Sequence, residues 1–119
     1  KETSITINMI EGDYDKTANT KTGTVVKEVN STYQSVVNDR ILCTTGGFTI
    51  TLPLSTSLLV NDTVQIIDVT GVANSQNITI ARNGAKIQNL AENLVLDVNN
   101  VAITLIYTGA TYGWVISGT

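Results

Sequence analysis

The stretch that most restricts the fold runs from Phe48 to Leu52, where Phe48, Ile50 and Leu52 fall on one face of an extended chain and Thr49 and Thr51 on the other. Strand side chains alternate with a period of two, whereas the apolar face of a helix returns about every 3.6 residues, so this pattern predicts a half-buried β-strand. The pattern returns in Thr63–Val69, Asn77–Ala81, Leu94–Val98, Val101–Tyr107 and Gly113–Ser117, all rich in β-branched or aromatic residues. The punctuation agrees. Val60-Asn61-Asp62, Thr70-Gly71, Asn83-Gly84, Asn99-Asn100 and Thr108-Gly109 are residues that accept a left-handed backbone or form Asx turns. Asn83-Gly84 is the strongest hairpin signal and predicts that NITIA folds back on AKIQ. No segment after residue 40 sustains a helical period, and one turn within Leu54–Leu59 is the only helix the pattern tolerates.

Short strands at irregular spacing, joined by short loops, predict an all-β domain: an antiparallel β-sandwich or a partly open β-barrel, with an extended N-terminal arm. An x-Ile-Thr-Ile/Leu echo begins at Ser4, Thr49, Asn77 and Ala102. Its uneven spacing reads as shared strand chemistry in preference to a solenoid repeat. The first part of the chain differs. Ser4–Ile10 alternates, Glu11–Gly23 is polar and charged around Tyr14, and Thr24–Val29 and Thr32–Val37 are strand-like again. Residues 1–38 are therefore assigned as an arm or linker with strands able to pair with a neighbouring chain, and residues 39–119 as the sandwich or barrel domain. The 119 residues suit one core, and the opening Lys1 in place of methionine suggests a piece of a longer protein.

Composition removes several kinds of chemistry. With no histidine and one cysteine, Cys43, the chain has no imidazole base, no internal disulfide and almost no ligands for zinc or copper, so neither metal nor cofactor is expected. The net charge of -3 comes with basic residues scattered singly, which argues against nucleic acid as a partner. No apolar run approaches the roughly 18 residues of a membrane span, so no membrane insertion is expected. Charged residues make up 14%, and Thr, Asn and Ser supply the remaining polarity, a surface suited to strands, turns and assembly.

The candidate sites are few. Cys43 lacks a base and reads as a small buried residue ending a strand, and Gly46-Gly47 precede a strand, so they do not cradle phosphate. Asp13 and Asp15 resemble the start of a calcium loop, but Ala18 and Thr24 occupy the positions where that loop needs glycine and glutamate. Asp62, Asp68, Glu92 and Asp97 are the acids available for glycoside hydrolysis, and each sits at a strand end or turn where it is more simply a cap. Tyr107, Tyr112 and Trp114 flank one turn and are the candidate contacts for a glycan or a partner, by stacking. The acceptor patterns at Asn30, Asn61 and Asn77 arise readily in a chain so rich in Thr and Asn.

Taken in order from Asp39 to Trp114, the pieces DRILC, GGFTITLP, DTVQIIDVTG, NITIARNGAKI, AENLVLDVNN and AITLIYTGATYGW cover about two thirds of the chain. In that order they resemble a β-rich module that recurs in tail fibres, tailspikes and baseplate-associated proteins of tailed bacteriophages. The resemblance implies a structural or attachment part of a virion, located on the tail or a surface appendage and commonly a homotrimer. It implies other virion proteins, and in some cases a host surface polysaccharide, as partners, with no catalytic residues. A carbohydrate-binding module for a cell-surface glycan, built on Tyr107, Tyr112 and Trp114, is the alternative expectation.

Overall fold

The computed structural model describes residues 24–118. Nine strands follow one another: β1 Val25–Val29, β2 Tyr33–Gln34, β3 Asp39–Cys43, β4 Thr49–Thr51, β5 Thr63–Asp68, β6 Ile78–Ala81, β7 Leu94–Leu96, β8 Ala102–Tyr107 and β9 Trp114–Gly118. A single 3-10 turn at Ser55–Ser57 lies inside the segment that tolerated one helical turn. The strands build two sheets, a larger one in the order β1-β3-β5-β8-β9 and a smaller one in the order β2-β4-β6-β7.

Among the described residues the predicted strands exist, except that AKIQ forms none, but the pairing is not the antiparallel one expected. From β1 to β6 the chain crosses to the other sheet after every strand, so β1, β3 and β5 stack parallel in one sheet and β2, β4 and β6 stack parallel in the other. Only then does it double back, with β7 antiparallel to β6, β8 antiparallel to β5 and β9 antiparallel to β8. Both sheets are mixed. Gly46-Gly47 accordingly turn the chain between sheets, from β3 to β4, and do not open a hairpin. A Cβ at Gly46 would collide with the backbone oxygen of Gln76, so the close crossing requires glycine there.

Alternation fixes which side chains enter the core. In register across the larger sheet, Ile41, Ile66 and Ile103 form one buried row, and Val64 lies beside Leu105. Ile50 and Ile80 pair across the smaller sheet, and these residues, with Leu52, Ile78 and Leu96, join the larger sheet's row in a single apolar cluster. Burying each such side chain contributes about 1.5–3 kcal/mol, so the two sheets are held mainly by this shared core.

The turn residues behave as their chemistry requires: Asn61, Gly71, Asn83, Gly84, Asn100 and Gly109 all have left-handed φ. Asn83-Gly84 does turn the chain, yet it closes no hairpin. The Arg82 N–H donates to the Asn93 side chain, and β6 takes β7 as its partner ten residues further on. The N-terminal assignment is corrected in part. β1 and β2 are edge strands paired within this chain to β3 and β4, so residues 24–38 belong to the same body as the rest. Residues 1–23, with the alternating Ser4–Ile10 and the Asp13 and Asp15 loop, lie outside the described residues.

Candidate functional site

The three aromatic candidates do not make an exposed platform. Trp114 is 0% exposed and Tyr107 7%, and their rings meet edge to face at 5.6 Å and 64° inside the core. Among the described residues the Trp114 Nε1 has no hydrogen-bond partner, so packing alone holds the indole. Only Tyr112, 57% exposed, offers a ring to solvent. The break lies at Gly113, whose left-handed φ of 75° lets its backbone pass against Lys86, where a Cβ would strike the Lys86 carbonyl. Strand β9 therefore starts at Trp114, and Tyr112 is a loop residue that does not share its buried face.

The acids serve as caps. The Asp68 carboxylate is buried at the end of β5 and accepts the N–H groups of Gly71 (3.1 Å), Ala73 (3.0 Å) and Asn100 (3.0 Å). Burial pushes its pKa up, but the N–H groups of Ala73, Asn100, Gly71 and Val72 together outweigh burial and hold the carboxyl below its usual value. Asp62 accepts the Leu59 N–H at 2.8 Å. Asp62 and Asp68 flank opposite ends of β5, roughly 20 Å apart at strand rise, far beyond the spacing of a glycosidase pair. Glu92 and Asp97 are exposed. Cys43 is buried, and burial, then the charge of Asp68, pushes its thiol up to about 12, so it is protonated at neutral pH and inert as a nucleophile. Among the described residues no group of three potential metal ligands comes together.

Two arrangements were not foreseen. The first ties the opening strands together. Asp39, 1% exposed, accepts the Tyr33 hydroxyl at 2.8 Å and the Val36 N–H at 2.9 Å through Oδ2. Its Oδ1 lies 3.3 Å from Lys27 Nζ, an ion pair without hydrogen-bond geometry, and the same ammonium stands 5.8 Å over the Tyr33 ring. The pKa of Lys27 is raised, first by its contact with Tyr33 and then by Asp39. That of Tyr33 is raised by burial first and then by its hydrogen bond to Asp39. A carboxylate on the core-facing row of β3 was visible in the sequence, but its partners lay in a segment read as a separate arm.

This cluster braces an open edge. Among the described residues β1 pairs only with β3 and β2 only with β4, so both sheets end on the same side of the parallel stack in a strand with one unpaired edge. Val25 and Val26 on β1 are exposed, Val26 by 55%. Such an edge presents N–H and C=O groups to any added strand.

The second arrangement is a cleft of about 320 Å³ between the Ser55–Ser57 turn, the Arg82–Lys86 turn and the loop that follows Tyr107. With Ala91 its lining comes from four separate segments, and no single motif marks it.

No protein-family model matches this chain, and no curated protein matches it.

Proposed function

We propose that the chain is a non-enzymatic structural module of a tailed-bacteriophage virion, of tail-fibre, tailspike, baseplate or head-appendage type, that mediates assembly or host attachment as a homotrimer. The observation that carries this reading is the pair of parallel edges, β1 and β2, left unpaired among the described residues at one end of a two-sheet coil. A parallel stack is extended by adding strands in the same direction, so the edge suits a second copy or a neighbouring virion protein. The ordered resemblance from Asp39 to Trp114 supports the same reading, as does a chain poor in charge and rich in Thr and Asn. On this reading the two sheets form the layers of a β-sandwich, with residues 1–23 as the arm that meets the neighbour.

Sedimentation of the full chain tests it: a homotrimer is expected, and Val26→Lys, at an exposed edge position, reduces it to monomer without unfolding. A wild-type chain that stays monomeric at about 100 μM, where even micromolar contacts are populated, overturns the reading. A second reading, a carbohydrate-binding module for a cell-surface glycan, retains the exposed Tyr112 ring. A Tyr112→Ala variant that binds a glycan array as wild type does removes that ring from it.

A further inference from the structure

The described residues hold four cations, Lys27, Arg40, Arg82 and Lys86. Two of them are engaged elsewhere. Lys27 is paired with the buried Asp39 carboxylate, and Arg40 donates through Nε to the Gln65 side chain. The other two line the same cleft of about 320 Å³, beside the hydroxyls of Ser55 and Thr56 and the side chain of Tyr107, and no acidic residue lines it. In a chain of net charge -3, such a convergence of positive charge with no acidic partner among the described residues is not a surface average.

We infer that this cleft binds a small carboxylate, with the acid group held between Arg82 and Lys86. Each cation is positioned by a single hydrogen bond, Arg82 Nη1 to the Ala85 carbonyl at 3.2 Å and Lys86 Nζ to the Thr111 carbonyl at 3.3 Å. A guanidinium carries five N–H donors and an ammonium three, so most remain for an oxyanion. The walls are tied before any ligand arrives. The Ser55 N–H donates to the Asn83 carbonyl at 3.2 Å, the Asn83 side chain to the Leu52 carbonyl at 2.9 Å, and the Trp114 N–H to the Lys86 carbonyl at 2.8 Å. Gly84, with φ of 98°, brings the turn so close to Ser55 that a Cβ would stand 2.7 Å from the Ser55 Oγ. Walls fixed in this way need little ordering on binding. The volume admits a ligand of monosaccharide size, and the Ser55 and Thr56 hydroxyls suit one that carries hydroxyl groups of its own. The inference stands on the cleft alone and does not depend on the virion reading.

The test is a titration of the full-length, 15N-labelled chain with sodium glucuronate, sodium acetate and glucose at constant ionic strength, followed by amide chemical shifts. Glucuronate is expected to give saturable shifts at residues 55–56, 82–86 and 107–110, acetate weaker shifts of the same amides, and glucose none. Acetate binding as tightly as glucuronate supports a site for the carboxylate alone. Arg82→Gln and Lys86→Gln are each expected to weaken glucuronate about tenfold with the spectrum otherwise native, and Lys86→Gln carries the test if Arg82→Gln unfolds. Shifts that do not saturate by about 50 mM, glucose acting as strongly as glucuronate, or folded variants that bind as wild type would each overturn the inference.

Discussion

The stretch from β1 to β6 and the stretch from β7 to β9 use the same alternating chemistry and reach opposite topologies. In the first, the chain changes sheet after every strand and all pairs are parallel. In the second all pairs are antiparallel, although the chain still crosses once, from β7 in the smaller sheet to β8 in the larger. A period of two determines which face of a strand is buried and leaves its direction open. A close backbone approach accompanies both a crossing, at Gly46, and a reversal, at Gly113. β5 belongs to both regions, with a parallel neighbour in β3 and an antiparallel one in β8.

The strongest way to break the comparison is to remove the aromatic anchor of the antiparallel region. Trp114→Ala should cost about 3–5 kcal/mol in urea unfolding. If the regions share one core through β5, far- and near-ultraviolet probes will still move in a single transition, whereas separate transitions would show that the regions are independent. In the parallel region Asp39→Ala leaves the Tyr33 hydroxyl and the Val36 N–H without their acceptor and should cost about 1–3 kcal/mol by the same measurement.

Acid sharpens the contrast further. The folded pKa of Asp68 lies below its unfolded value, so the ionised carboxylate contributes stability that is fully present above the unfolded pKa and is lost as pH falls through the folded one. Denaturation midpoints should therefore drop below about pH 4, and Asp68→Asn, already weakened at neutral pH, should drop less. Cys43 at the end of β3, with its thiol up at about 12, should resist iodoacetamide at about pH 8 in the native chain and react on unfolding, read by mass spectrometry. The smallest effect is expected at the loop between β8 and β9, where Tyr112→Ala should change stability by less than about 0.5 kcal/mol although Trp114 is two residues away.

The positions of the strands were legible in the sequence, and their partners were not. Register shows why. Val25 pairs with Asp39 but Arg40 pairs with Gln65, and Tyr33 pairs with Ile50 but Thr49 pairs with Thr79, so successive turns of the coil contain unequal lengths of chain. An uneven winding leaves no fixed period, and the x-Ile-Thr-Ile/Leu echo at Thr49 and Asn77 was set aside for that reason, although β4 and β6 are parallel neighbours. Asn83-Gly84 announced its backbone conformation correctly and its strand partner wrongly, because the Asn93 side chain takes the Arg82 N–H that a hairpin would have used. At the site, grouping Tyr107, Tyr112 and Trp114 around one turn did not allow for the left-handed Gly113 backbone, which leaves Tyr112 exposed and Trp114 buried. The cleft draws on four separate segments, and the Asp39 cluster joins residues on three strands, so neither leaves a local signature.

The reversal of direction at β7 and β8 gives the molecule unlike ends. A parallel stack resembles a screw thread, which a further segment can continue only by running the same way. Among the described residues, nothing continues it at the β1 and β2 end. At the other end the outermost strands, β7 and β9, are added antiparallel to their neighbours, and β9 carries a register shift opposite Thr104 and Leu105 that interrupts its ladder. An incoming strand therefore meets a continuous parallel thread on one side and a reversed, interrupted one on the other. The two ends of the described sheets therefore differ in strand direction and in the continuity of their ladders.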